Sequence, residues 1–274
     1  MQTIIVPTDF SDAADNALKV AKTIALKTKA TIHLANFYSL PMSDYSYPEI
    51  SMPSEILKQV ADAAKIEIEK LTLALQSEGF MVVSTVAMGF PTDEIIDLAN
   101  KVKPDLIVMG TTGATGIINK VIGSNAAHVM QKTDYPIMLV PQDCTFDGIH
   151  NIVYLAELRE DDTPILSKLF DFADALEAQH VRLLNVNTGF FFQAIDEQLM
   201  LKLDNTFGLE KIKLETVNGA DTKDGIDHYL EKHLVDLVVM STHKKTLLER
   251  IFVRSNTNKM ALYSKVPVLV YHKS

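Results

Sequence analysis

The sequence of 274 residues predicts an α/β protein built from two copies of a doubly wound, mostly parallel sheet. Three observations support this fold class. Short β-branched runs alternate with amphipathic helical patterns, which favours parallel strands joined by right-handed crossovers. The same order of runs recurs in the second half of the chain. The composition, with 47% apolar and 22% charged residues, gives each half enough apolar side chains to form a core.

The elements of the first half follow from apolar periodicity and turn residues. A strand over residues 3–6 leads through a turn into a helix that Ser11 or Asp12 caps. A second strand covers 31–37, and residues 38–53, which contain three prolines, favour no regular element. The remaining predicted elements are a long helix over 54–78, a strand over 81–88, a helix over 92–102, a strand over 105–109, a helix opened by Gly123 and Ser124, and a strand over 136–140.

The second half repeats this order of elements. The run at 151–157 matches that at 3–9, and the run at 236–241 matches that at 105–110. These matches divide the chain into two predicted domains, residues 1–142 and 150–274. The polar linker between them is short, so we expect the two domains to be held against each other.

Charge, cysteine content and hydropathy exclude several classes of protein. The net charge of −9 argues against non-specific nucleic-acid binding, because neutralising phosphates requires a basic surface. The single cysteine, Cys144, rules out an intrachain disulfide and fits a reducing compartment. The sequence shows neither a secretory signal pattern nor an apolar run of about 18 residues, so we expect a cytoplasmic protein without a membrane span.

A glycine-containing segment after the fourth strand is the candidate ligand site. Gly110 and Gly113 follow the apolar run, and Gly123-Ser124 begins the next helix. Ligands of open parallel sheets bind beyond the carboxyl ends of the strands, where strand order reverses, and a helix N-terminus attracts anions. The spacing fits neither a Walker A motif nor the dinucleotide fingerprint. The glycines alone leave two alternatives open, a phosphate site and a flexible loop.

Three separated signatures together resemble the universal stress protein family. They are Pro-Thr-Asp at 7–9, Leu-Ala-Asn-Phe at 34–37, and the glycine-serine spacing that runs from Gly110 to Ser124. The whole chain resembles the tandem form of the family. This resemblance implies a Rossmann-like, five-stranded parallel sheet of order 3-2-1-4-5 in each half. It also implies an internal pseudo-dimer in which the halves pair through strand five, and it leaves a homodimer open.

The resemblance further implies a site for ATP or another adenine nucleotide, since the glycine motif marks the ATP-binding members of the family. Around the adenine and ribose it places Pro7, Thr8, Asp9 and Phe37. On the ribose side it places Met109 and Gly110. Against the phosphates it places Gly113, Gly123, Ser124 and Asn125. Ala126 stands where binding members often have a hydroxyl residue, so one phosphate contact is expected to be absent.

The second half departs from this motif at every glycine. Gly110, Gly113 and Gly123 are replaced by Ser241, Lys244 and Arg254, and Pro7 and Thr8 by Leu155 and Ala156. We therefore expect no ATP in the second domain by this mode. Because the strand and helix patterns persist without the glycines, the sequence indicates that the fold does not need them and that they are ligand residues.

No catalytic constellation is recognisable, so any ATP hydrolysis is expected to be slow or absent. Histidine spacing predicts no metal site. Asp9 has two open roles, holding Mg²⁺ beside the phosphates or accepting hydrogen bonds from the base or local backbone, and the second is preferred. Three functions follow: a nucleotide-binding stress or signalling protein whose packing or partner choice depends on ATP, a partner-binding or structural module without nucleotide, and a slow ATPase.

Overall fold

The computed structural model describes residues 1–39, 54–111, 123–156, 162–189, 212–242 and 265–273, and every structural statement below refers to these. Strands and helices alternate as predicted. The strands of the first half are β1 (Thr3–Pro7), β2 (Thr31–Tyr38), β3 (Val82–Met88), β4 (Leu106–Gly110) and β5 (Ile137–Val140). Its helices are α1 (Asp12–Thr28), α2 (Ser54–Ser77), α3 (Pro91–Val102) and α4 (Ser124–Lys132). Residues 40–53, which make up most of the proline-containing segment expected to favour no regular element, lie outside the described residues.

The described part of the second half repeats these elements. Its strands are β6 (Asn151–Leu155), β7 (His180–Asn187), β8 (Ile212–Asn218), β9 (Leu237–Thr242) and β10 (Val268–His272). Its described helices are α5 (Thr163–Ala175) and α6 (Thr222–Lys232). None of the helices that the structure describes is long and apolar enough to cross a membrane.

The ten strands form one sheet in the order β3-β2-β1-β4-β5-β10-β9-β6-β7-β8. Each half therefore has the order 3-2-1-4-5, which confirms the predicted fold class. Pairing is parallel within each half, and β5 and β10 meet antiparallel at the centre, with Met138 opposite Leu269. Strand order reverses between β1 and β4 in the first half and between β6 and β9 in the second.

The sheet separates the apolar core into two clusters, one on each face. Each cluster extends across both halves of the chain. On one face, Val6 and Leu18 belong to the same buried cluster as Ile152 and Leu169. On the other face, residues of α3 and α4 belong to one cluster with residues of β6, α6 and β9. Among the described residues, each apolar cluster is therefore continuous from one half to the other.

Two side-chain clamps occur at corresponding places in both halves. The carboxylate of Asp105, just before β4, accepts hydrogen bonds from the amides of Gln2 (2.6 Å) and Thr3 (2.9 Å). Asp236, just before β9, accepts bonds from the amides at the start of β6 in the same way. Near the other end of the strands, the amide group of Asn36 donates to the Thr8 carbonyl at 2.8 Å.

Asn185 makes the matching bond in the second half, because its side-chain amide donates to the Ala156 carbonyl at 3.1 Å.

The helix ends also agree with the sequence. Ser11 is the N-cap of α1 and accepts a hydrogen bond from the Ala14 amide. Gly79, just after α2, has a φ of +91°, as expected for a residue that ends a helix in the left-handed conformation.

Candidate functional site

A cleft of about 190 Å³ opens at the carboxyl ends of β1, β2 and β4, where the strand order reverses. This is the position at which open parallel sheets bind ligands. Nine of the ten residues expected to contact nucleotide line this cleft: Pro7, Thr8, Asp9, Phe37, Met109, Gly110, Gly123, Ser124 and Asn125. The tenth, Gly113, lies outside the described residues.

The turn between β1 and α1 is fixed by hydrogen bonds on several sides of Thr8. Its amide donates to the Ala35 carbonyl at 2.8 Å, and its carbonyl accepts from Asn36. Its hydroxyl accepts from the amide of Phe10 at 3.0 Å. Phe10 has a φ of +60°, a conformation that costs a non-glycine residue free energy and persists where the surroundings enforce it. This wall of the cleft is therefore rigid and preformed.

The carboxylate of Asp9 is bonded to its own turn. Its Oδ1 accepts from the Ser11 amide at 3.1 Å and from the Ser11 hydroxyl at 2.5 Å. This is the local-backbone role that the sequence favoured over a metal role. The N-terminus of α1 also carries Asp12 and Asp15 in its first turn, which offset the positive end of its dipole. An anion gains little at this helix end.

The N-terminus of α4 has the opposite character. Gly123 is the N-cap and has no side chain to accept from the first-turn amides, and the first turn of α4 has no acidic residue. Gly123, Ser124, Asn125 and Ala126 all line the cleft. A helix end with free amide groups and no acidic residue is an anion-binding position. The asymmetry between α1 and α4 directs a negatively charged ligand to α4.

Asn125 at this helix end is linked to the start of α3. The hydroxyl of Thr92 donates to the Asn125 Oδ1 at 3.4 Å, which leaves the amide NH₂ group as the free end of the side chain for a ligand. Lys132, at the end of α4, pairs with Asp93 of α3. The two helices that flank the cleft are thus held to each other at both ends of α4.

The structure corrects the interpretation of Gly110 as a residue that the fold does not need. A Cβ atom at this position would lie 2.7 Å from the backbone carbonyl of Ala13, so only glycine lets the first turn of α1 pack here. In the second half, Ser241 occupies the matching position and its hydroxyl lies 2.8 Å from the Tyr154 hydroxyl. The first half packs backbone against backbone at this point, and the second half uses a hydrogen bond.

Buried polar side chains occupy the corresponding region of the second half. Ser241 is buried and lies 3.5 Å from a carboxylate oxygen of Asp162, which is also buried. The ammonium group of Lys273 pairs with the same carboxylate at 2.7 Å. Lys244 and Arg254, which replace Gly113 and Gly123, lie outside the described residues.

Sequence reasoning missed four residues that line the cleft of the first half. They are Ala14, Ala35, Pro91 and Ile95. Two signals were available for some of them. Ala35 shares a strand face with Phe37 because strand side chains alternate, and Pro91 follows β3, whose carboxyl end lies at the same sheet edge. These residues are apolar, as Phe37 and Met109 are, so part of the cleft lining is apolar.

The part of the chain that the structure describes contains no group of three or more histidine, cysteine, aspartate or glutamate side chains arranged to hold a metal ion. Cys144 is a half-buried free thiol, and burial raises its pKa to about 11, so it is protonated at neutral pH and a poor nucleophile.

Comparison with known proteins gives one consistent relationship. The family model described as "Universal stress protein family" matches residues 1–141 and again residues 150–272. Universal stress protein MJ0531 of Methanocaldococcus jannaschii is 33% identical over 145 residues, which is 50% of this chain and 80% of that protein.

Solved structures agree with the sequence matches. A universal stress protein from Archaeoglobus fulgidus superimposes over 99% of this chain and 96% of its own with a TM-score of 0.71. At 15% sequence identity this likeness shows the fold alone. A universal stress protein solved in complex with cAMP is 26% identical and matches 51% of this chain and 96% of its own, with a TM-score of 0.35.

Proposed function

This chain belongs to the universal stress protein family, and on that premise we propose that its first half binds an adenine nucleotide, with ATP as the favoured ligand, and that its second half does not. The observation that carries the proposal is the end of α4. It presents free first-turn amides and no acidic residue to a cleft that Phe37, Ile95 and Met109 line with apolar side chains. A nucleotide matches this pairing, because its base is flat and apolar and its phosphates are anionic.

The proposed contacts follow this division of the cleft. Phe37, Met109 and Ile95 contact the base and ribose, and Pro7, Thr8 and Asp9 close that side. Gly123, Ser124 and Asn125 bind the phosphates, with Gly113 proposed as a further contact. Mg²⁺, when present, is assigned to the phosphate oxygens, because Oδ1 of Asp9 is already bonded within its own turn. Hydrolysis is proposed to be slow or absent.

We further propose that nucleotide occupancy acts through the centre of the molecule. Thr111, which lines the cleft, donates its amide to the Val140 carbonyl of β5 at 2.9 Å. β5 in turn pairs with β10 of the second half. The proposed domains, residues 1–142 and 150–274, thus form an internal pseudo-dimer whose junction lies one strand from the ligand. In the cytoplasm, the proposed location, occupancy would bias domain packing or partner choice in a stress or signalling response.

Calorimetric titration of the full chain with ATP, ADP, AMP and cAMP tests the proposal. Two matched variants sharpen the test. Gly123→Asp and Gly123→Asn cap α4 about equally well and have the same shape, but only the aspartate carries a charge. We expect Gly123→Asp to weaken ATP binding at least tenfold more than Gly123→Asn does. If both variants bound ATP equally well, the N-terminus of α4 would not contact the phosphates.

The alternative functions give different results in the same preparations. A partner-binding or structural module would purify without nucleotide, as judged by mass spectrometry, and would release no heat with any of the four ligands. A slow ATPase would convert radiolabelled ATP to ADP, and this turnover would be lost when Asp9 or Ser124 is replaced. The proposed function predicts bound nucleotide with little or no turnover.

A further inference from the structure

The two outer strands of the described sheet, β3 and β8, differ in their protection from pairing with another chain. The Met81 carbonyl accepts from the Ile32 amide at 2.9 Å, and the Gly89 amide donates to the Tyr38 carbonyl at 3.0 Å. Odd-numbered residues of β3 therefore direct their backbone groups toward β2. The even-numbered residues direct theirs outward, which leaves a row of donors and acceptors at the edge: Val82, Ser84, Val86 and Met88.

β3 also lacks the charged and proline residues that usually keep an edge strand from pairing with another chain. Residues 81–89 contain no charged residue and no proline. Met81, Val83 and Met88 are 56%, 51% and 58% exposed. On β8, by contrast, Lys213 and Glu215 are charged, and the Lys213 side chain is 73% exposed. Charged edge strands resist pairing, whereas flat apolar ones invite it.

We propose that β3 pairs antiparallel with β3 of a second copy of this chain, on a two-fold axis through Thr85. In this register Val82 faces Met88, Val83 faces Ala87 and Ser84 faces Val86 of the other copy. No like charges meet, and the apolar side chains exposed in one copy gain apolar partners in the other. The surface is self-complementary, as a two-fold dimer interface requires.

The register also uses the free backbone groups of the edge. Val82 with Met88, and Ser84 with Val86, become hydrogen-bonded pairs, because these are the residues whose amides and carbonyls point outward. The chain already joins its own halves in this manner, since β5 and β10 are an antiparallel pair with three facing positions. β3 is seven residues long and offers a longer ladder than that junction does.

Sedimentation of the full chain without nucleotide tests the dimer. We expect the wild type to sediment at twice its chain mass of 30.4 kDa. Ser84→Lys should sediment as a monomer, because it places a charge at the edge without removing any buried contact. Ser84→Pro should do the same, since it removes an amide that points outward and leaves the ladder to β2 intact. Thr216→Lys, at an exposed position on β8, should remain dimeric.

A monomeric wild type, or a dimer that survives Ser84→Lys, would overturn the proposal. So would loss of the dimer in Thr216→Lys. Circular dichroism of each variant separates loss of pairing from loss of fold, and a folded monomer is the expected result for the Ser84 variants. Because these measurements use protein without nucleotide, they fail or succeed independently of the proposed nucleotide site.

A cross-link tests the register. In a Cys144→Ser background, Thr85→Cys places two thiols on the two-fold axis. Facing residues in a non-hydrogen-bonded antiparallel pair have Cα atoms about 4.5 Å apart, within the range that a disulfide spans. We expect a covalent dimer under oxidation that reductant reverses, and none from Thr216→Cys in the same background. A Thr85→Cys chain that stays uncrosslinked would overturn the antiparallel pairing through Thr85.

Discussion

Gly110 and Ser241 are matching residues that are each suited to their own half. Gly110 allows the backbone of α1 to approach, whereas Ser241 hydrogen-bonds to the Tyr154 hydroxyl. We expect Gly110→Ser to destabilise the protein by about 1–3 kcal/mol through overpacking. Ser241→Gly should cost about 1–2 kcal/mol through a lost hydrogen bond and added chain entropy.

Urea denaturation of the two single variants measures both free energies. If Gly110→Ser unfolded at the wild-type urea concentration while losing ATP binding, the glycine would be a ligand residue only. A substantial loss of stability would show that the packing role exists whatever the ligand does. The sequence comparison alone could not separate these roles, because a glycine replaced in a second copy looks dispensable in both cases.

His33 gives the protein a pH-dependent stability. Burial lowers the pKa of this side chain, whose Nε2 lies 2.8 Å from the Thr85 hydroxyl. The unfolded chain therefore takes up the proton more readily, near the usual pKa of about 6.5. We expect the free energy of unfolding to fall as pH drops below about 6.5, by at most about 1.4 kcal/mol per pH unit, until the lowered folded pKa is reached.

Denaturant titrations of wild type and His33→Gln between neutral and mildly acidic pH isolate this effect. The variant keeps a polar side chain that does not titrate, so its curve should lack the His33 contribution while retaining that of every other group. Identical pH slopes in the two proteins would show that His33 titrates alike in the folded and unfolded chain.

At the scale of elements, the two halves act as controls for each other. Both keep the aspartate clamp that ties the fourth strand to the first, at Asp105 and at Asp236, and both keep the asparagine clamp at Asn36 and Asn185. Features present in both halves serve the fold. Pro7 and Thr8 are present in one half only, which fits a role in the proposed site.

The aspartate clamps therefore make a paired prediction. Asp105→Ala and Asp236→Ala each remove a carboxylate that accepts two backbone amides, and each should destabilise the protein by about 1 kcal/mol. Both lie at the amino ends of the strands, away from the cleft, so neither should change ATP affinity. Urea denaturation and calorimetric titration of the two variants check this. If removing either carboxylate weakened ATP binding several-fold, that aspartate would contribute to the ligand site as well as to the fold.

The helix N-termini beside the cleft show why element bounds alone do not identify a site. α1 and α4 both begin at the sheet edge where the cleft opens. The Ser11 side chain caps α1, and Asp12 and Asp15 in its first turn offset the positive end of its dipole. The end of α4 has Gly123 and no acidic residue in its first turn. The identity of one capping residue, more than the presence of the helix, decides where an anion is favoured.

At the scale of the whole molecule, both apolar clusters span the two halves, one on each face of the sheet. Unfolding either half would expose apolar surface of the other, so we expect one cooperative transition. Differential scanning calorimetry should give a single peak with equal calorimetric and van't Hoff enthalpies. ATP bound in the first half should raise the midpoint of the whole transition. Two resolved peaks, of which only one shifted with ATP, would show independent domains.

The sequence predicted the elements well because apolar periodicity is a local property. The strands and helices of the first half lie within about two residues of their predicted bounds, and the ends of β1, β2, β4 and α4 supply the predicted residues of the cleft. It missed Pro91 and Ile95, which reach the cleft only through the packing of α3. Contacts between residues far apart in sequence leave no periodic signal.

The sequence by itself determined the duplicated α/β architecture, the strand order through its family resemblance, and the confinement of the glycine motif to the first half. Only the tertiary structure decided that Gly110 is needed for packing, that α3 lines the cleft with Ile95, and that the two apolar clusters extend across both halves. The physical reason is the range of the interactions. Periodicity, capping preference and turn chemistry act over a few residues, whereas close approach, burial and shared apolar surface depend on which elements the fold brings together.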